Sequence, residues 1–172
     1  LYTPEEFGAY GIFITVVGLL STIAALGYDM AIVKEDKEED AHHLFQTCVL
    51  ISFSSSFIFF LLSQIFSNAI TMSFIAFVPL GMFFYAVNNS IYSLLNRYEL
   101  YAILSKVQVL RSIIIIALQT ACGFLGFIYY GLVLGVLISA LAVGIYGYSQ
   151  LIANQKIRSN ISKNSVKKLL NK

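Results

Sequence analysis

The sequence predicts an all-α protein, a multi-pass integral membrane helical bundle with five transmembrane helices. Three observations predict it. Apolar residues make up 58% of the 172, and mean hydropathy is +0.79, a balance that soluble domains do not show. Charge is excluded from three long runs, residues 7–28, 44–96 and 112–155. None of the runs has the period-two alternation of a barrel strand, and a segment facing lipid must satisfy its own backbone polar groups, so the runs read as helices.

One crossing takes about 20 residues, because a helix rises ~1.5 Å per residue through ~30 Å of hydrocarbon. The first run is therefore one span, residues 8–28. Its approach, LYTPEEFGAYGIF (1–13), carries a helix start signal. Thr3 caps, Pro4 occupies the first turn, Glu5 and Glu6 sit by the positive end, and Glu6 stands where a capping box needs it. The second run holds two spans, 44–65 and 71–95, separated by polar Ser63, Gln64, Ser67, Asn68, Thr71 and Ser73. The third run holds 107–127 and 130–152, divided at GFLGFIYYG (123–131). Residues 1–153 thus form one transmembrane bundle, and 154–172 a basic tail or linker.

Between the first two spans lies KEDKEEDAHH (34–43), seven consecutive charges and then two histidines. A charge run of this kind reads as a hydrated connection between helix ends. A metal site from Asp40, His42 and His43 needs side chains converging on one ion, and adjacent histidines diverge on a helix. No metal and no cofactor is expected. Cys48 and Cys122 both fall within spans, where free cysteine acts as a small apolar residue.

Five crossings place all eleven Lys and Arg on one side, and the other side holds only Glu5 and Glu6. By the positive-inside rule the basic side is cytoplasmic, leaving the N-terminus outside and 34–43, 96–106 and the C-terminus inside. The tail NQKIRSNISKNSVKKLLNK attracts anionic lipid. It lacks the aromatic platform of a nucleic-acid binder, so no nucleic-acid partner is expected. The first residue is Leu rather than Met, which suggests a chain incomplete at its N-terminus.

Four segments in order carry a resemblance: TPEEFGAY, then LGYDMAIVKEDKEEDA ending at residue 41, NRYELY (96–101) and GLVLG (131–135). Together they resemble bacterial polysaccharide biosynthesis transporters, the flippases of lipid-linked oligosaccharides such as O-antigen units. These belong to the multidrug/oligosaccharidyl-lipid/polysaccharide exporter superfamily. The resemblance implies that the five spans are helices two to six of a fold with twelve or more. It implies a transporter and no enzyme, sited in the bacterial cytoplasmic membrane and working by alternating access for O-antigen, capsule or exopolysaccharide assembly. An undecaprenyl-pyrophosphate-linked oligosaccharide is the implied substrate. The implied partners are the lipid bilayer, a C-terminal lobe of the same protein and a polysaccharide polymerase.

A diphosphate headgroup removed from water needs cationic donors, and arginine suits this best. Arg111 is the deepest basic residue, about one turn inside the fourth span. It either lines a cavity or snorkels along its own stem to the interface. Arg97 is a shallower substrate candidate beside Lys106, with membrane-surface anchoring as its other reading. Asp29, closing the first span, is either a cation-coupling carboxylate or an exposed helix-end acid near Lys34. Pro79 and Gly81 mark a hinge or a simple bend in the third span. Asn88, Asn89 and Gln119 either bond between helices or meet sugar. Gly131 and Gly135 fit close helix approach, as do Gly8, Gly11 and Gly18. Tyr85, Tyr92, Tyr98, Tyr101, Tyr129, Tyr130, Tyr146 and Tyr148 read as an interfacial belt.

Three other functions compete. A multidrug extruder of the same superfamily should carry acids deep in its spans, and only Asp29 approaches that description. A membrane enzyme of polysaccharide assembly should carry a large aqueous loop or an acidic or histidine motif, for which only 34–43 is available. A truncated fragment without function is the third.

Overall fold

The computed structural model describes residues 2–35, 38–66, 75–126 and 128–170. Six α-helices follow one another: α1 (Pro4–Ala24), α2 (Tyr28–Lys34), α3 (Glu38–Phe66), α4 (Val78–Arg97), α5 (Tyr101–Phe124) and α6 (Ile128–Leu170), with a 3₁₀ turn, Ile75–Phe77, before α4. Four of them are long and apolar enough to cross a membrane, over Pro4–Ala24, Asp40–Gln64, Tyr101–Phe124 and Tyr130–Asn154.

α1 begins as its sequence predicts. Thr3 Oγ1 accepts from the Glu6 N–H at 3.4 Å, and the Thr3 N–H donates to Glu6 Oε2 at 2.7 Å. Pro4 follows in the first turn, where its missing N–H costs no helical bond. The helix ends at Ala24, earlier than the expected 28, because Leu26 and Gly27 turn left-handed at φ 50° and 74°. Glycine adopts that conformation at no steric cost. The chain then restarts as the short helix α2.

α3 starts at Glu38, ahead of the expected 44, so part of KEDKEEDAHH is helical rather than a loop. Acidic residues at a helix N-terminus complement its dipole, which favours this start. Residues 36 and 37, and the polar break at 67–74, lie outside the described residues. Among the described residues, no group of three or more His, Cys, Asp and Glu is placed to hold a metal ion.

α4 occupies the centre and touches each of the other five helices. It is long enough to cross but less apolar than its neighbours, since Asn88, Asn89 and Ser90 fall in its middle. Lipid disfavours such groups, so the helix carrying them is enclosed by the others. The hinge expected at Pro79 is displaced by this start: Pro79 stands in the first turn of α4, not its interior, so it removes no intrahelical bond. Gly81 is a contact point instead. A Cβ there would come within 2.9 Å of the Val17 side chain, so glycine lets α1 and α4 close together. Phe13, Val17 and Val78 are packed with Val133 and Leu137 of α6 around this contact.

At the other end of α4, Leu94 and Leu95 join Ile32, Phe45, Cys48 and Leu151 in a second core cluster. α5 differs from α4 in having only Val107 buried among its residues. It lies chiefly against α6, where Gly131 and Gly135 permit the approach. Added Cβ atoms would stand 2.6 Å from Cys122 Cβ and 2.9 Å from Gln119 Cγ. Gly8, Gly11 and Gly18 do not share that role, since a Cβ on any of them would meet no atom within 4 Å. α6 runs on to Leu170, so the backbone of the basic tail continues the last helix instead of leaving it at residue 153.

Candidate functional site

α5 begins at Tyr101, six residues ahead of the expected 107, and this moves Arg111. Ten residues now precede it within the helix and thirteen follow, about 15 Å and 20 Å of helix at 1.5 Å per residue. It therefore sits midway along α5, not one turn inside its end.

Its neighbour is an aromatic face. The guanidinium carbon lies 4.4 Å from the centre of the Tyr85 ring on α4. Such a contact is worth ~0.5–1 kcal/mol at exposed sites and ~2 or more where water is excluded. Tyr92, seven residues on, shares that face of α4, because two helical turns return a side chain to the same side. Its hydroxyl lies within electrostatic and hydrogen-bonding reach of Arg111, and its oxygen, sealed from solvent, makes no hydrogen bond of ordinary geometry. Tyr10 of α1 lies within electrostatic reach of Tyr85. Arg111, Tyr85, Tyr92 and Tyr10 are all half-buried. The expected belt of tyrosines at span ends thus does not hold for Tyr85 and Tyr92, which stand inside α4.

α1 and α5 flank α4 without packing against each other as neighbouring helices do. One end of that gap is bridged, because the Tyr2 hydroxyl donates to the Gln119 carbonyl at 2.6 Å. The opposite end holds the α2 junction. There Arg97 Nη1 donates to the Ile32 carbonyl at 3.1 Å and to the Glu35 carbonyl. These are unsatisfied oxygens of the last turn of α2, so this arginine caps a helix C-terminus.

The remaining candidates are spread through the bundle. Asn88, only 3% exposed, donates from Nδ2 to the Phe84 carbonyl at 2.8 Å and to the Ala140 carbonyl at 2.9 Å, linking α4 to α6. Gln119 donates from Nε2 to the Leu132 carbonyl at 3.0 Å, linking α5 to α6. Both act between helices. Asn89 lies four residues after Tyr85 and three before Tyr92, which puts it on the tyrosine stripe by register. Asp29 is half-buried in the first turn of α2, within electrostatic reach of Cys48. Neither Asp29 nor Gln119 joins the arginine.

The partners that sequence reasoning missed are the tyrosines. A signal was present, since the least apolar spanning-length helix carries two of them at a seven-residue spacing. A deep arginine requires a partner of this kind.

The family model described as "Polysaccharide biosynthesis protein" matches residues 1–171. The chain belongs to that family. No curated protein and no solved structure matches it. Membership in the polysaccharide biosynthesis family accords with a bundle of apolar helices, and it gives the tyrosine-held arginine of this family member a polysaccharide-related setting.

Proposed function

We propose that this chain belongs to a transporter moving lipid-linked saccharide units across the cytoplasmic membrane of a bacterium by alternating access. In this reading the chain crosses five times, with α4 as the enclosed fifth crossing, and performs no covalent chemistry. The substrate is an oligosaccharide on a polyprenyl diphosphate such as undecaprenyl pyrophosphate, destined for O-antigen, capsule or exopolysaccharide. The gap between α1 and α5 belongs to the path of its headgroup. A second helical lobe and a polysaccharide polymerase are the partners that this reading requires.

One observation carries the reading: Arg111 stands midway along a membrane helix and rests on a tyrosine ring. A carboxylate would neutralise that cation, whereas a ring face stabilises it and leaves its charge available to an anion. A multidrug extruder would be expected to carry acids deep in its spans, and the sequences of α4, α5 and α6 contain none within their apolar parts.

Replacing Arg111 with alanine tests the proposal. Export of the polysaccharide should fail while membrane insertion and abundance stay at the wild-type level. Wild-type export at matched protein level removes Arg111 from the mechanism.

A further inference from the structure

A guanidinium offers two surfaces to its surroundings. Its in-plane N–H groups form a fork that matches phosphate oxygens, and its face stacks on aromatic rings. Tyr85 takes Arg111 through the ring, 4.4 Å from guanidinium carbon to ring centre, and a ring contact uses no acceptor lone pair. The Tyr85 and Tyr92 hydroxyls lie within reach of the fork but form no hydrogen bond of ordinary geometry with it, so its N–H groups can turn to an anion while the charge is held in place. An arginine at a helix centre is costly to insert, and a cation–π contact offsets part of that cost.

Tyr92 presents the complementary puzzle. Its hydroxyl lies within hydrogen-bonding reach of the same arginine and is shut off from solvent, but it makes no hydrogen bond of ordinary geometry. Leaving a buried hydroxyl without a well-formed hydrogen bond lowers stability. Phenylalanine would fill the position without that cost. A hydroxyl kept beside a cation is placed to donate to whatever anion the cation receives.

We propose that Tyr85 is a positioning residue that holds Arg111 through its ring face, and that the Tyr92 hydroxyl joins Arg111 in binding the anionic headgroup. The inference rests on the reading of Arg111 given above. It makes the anion seat a property of α4 and α5 together. The two tyrosines have opposite requirements, a ring at 85 and a hydroxyl at 92.

The test measures binding of radiolabelled farnesyl diphosphate to the purified protein in nanodiscs, with inorganic pyrophosphate and farnesol as competitors. Pyrophosphate should compete and farnesol should not. Arg111→Ala should abolish binding. Tyr85→Phe should bind like wild type, and Tyr85→Leu should bind about tenfold more weakly, the loss expected from ~1.4 kcal/mol. Tyr92→Phe should also lose about tenfold, with an unchanged thermal unfolding midpoint. If Arg111→Ala binds like wild type, the functional reading falls and this inference with it. If Arg111→Ala loses binding while Tyr92→Phe and Tyr85→Leu keep it, only the inference falls. Equal losses in Tyr85→Phe and Tyr85→Leu overturn the ring-face role, and competition by farnesol alone overturns an anion seat.

Discussion

Charge and geometry separate at a guanidinium, and Arg111 allows the two to be tested apart. Lysine at 111 keeps the cation but loses the planar fork and stacks less well on Tyr85. Export by Arg111→Lys should therefore fall between wild type and Arg111→Ala. Loss of a charged hydrogen bond costs ~1.5–3 kcal/mol, about 10- to 150-fold, which sets the scale for the alanine variant. An export assay at matched membrane abundance orders the three proteins, and full activity of the lysine variant would reduce the role of Arg111 to its charge. Asn88 is different, because both its amide hydrogen bonds go to backbone carbonyls, one of them on α6. Asn88→Ala should lower stability by about 0.6–1.7 kcal/mol, the range of interhelical hydrogen bonds in membranes, while leaving export intact. Thermal unfolding in detergent checks the first half and the export assay the second. A variant that unfolds normally but fails to export would return Asn88 to the substrate path.

The helices are joined by contacts of two kinds, and each predicts a different failure. Where glycine permits close approach, a single methyl is felt. Alanine at Gly131 would set its Cβ 2.6 Å from Cys122 Cβ, so α5 and α6 would have to separate there. Overpacking of this sort costs ~1–3 kcal/mol. Gly8 faces no atom within 4 Å, so Gly8→Ala should be neutral or stabilising by up to about 1 kcal/mol through helix propensity. Thermal unfolding of the pair separates packing glycines from merely small ones. The other kind of contact is the Arg97 cap on α2. Arg97→Ala should raise hydrogen exchange across residues 28–35 and leave the middle of α4 unchanged. Uniform exchange across both helices would mean that Arg97 supports the whole bundle. The sequence could not show this cap, because the break at Leu26 and Gly27 that creates α2 lies inside an uninterrupted apolar run. Hydropathy reports whether a segment is apolar but not where its backbone turns left-handed.

At the scale of the molecule, what was legible followed from solvation, and what was hidden followed from packing. Long apolar runs mark helices because lipid leaves the backbone no other way to satisfy itself, and four such helices stand where the runs predicted them. α3 starts earlier than hydropathy suggested, since Glu38, Glu39 and Asp40 extend it at the end where its dipole favours acids. Arg111 stood out in the sequence as a charge within an apolar stretch. Tyr85 and Tyr92 did not, because tyrosine in a membrane chain reads first as an interface residue. Only the pairing of α4 with α5 shows them facing the arginine. The same logic makes orientation the most exposed part of the functional proposal. Lys34 closes α2, and Arg97 is bonded to that helix's last turn, so both stand at one end of the bundle, while Tyr2 and Gln119 are joined at the other. If the basic end faces the cytoplasm, single cysteines at Glu35 and at Asn160, in a protein with Cys48 and Cys122 replaced by serine, should both resist an impermeant maleimide added to intact cells. A cysteine at Thr3 should react. Labelling of Glu35 and Asn160 from opposite faces would require an odd number of crossings between them, and neither α4 as a crossing helix nor a headgroup path between α1 and α5 would survive that result.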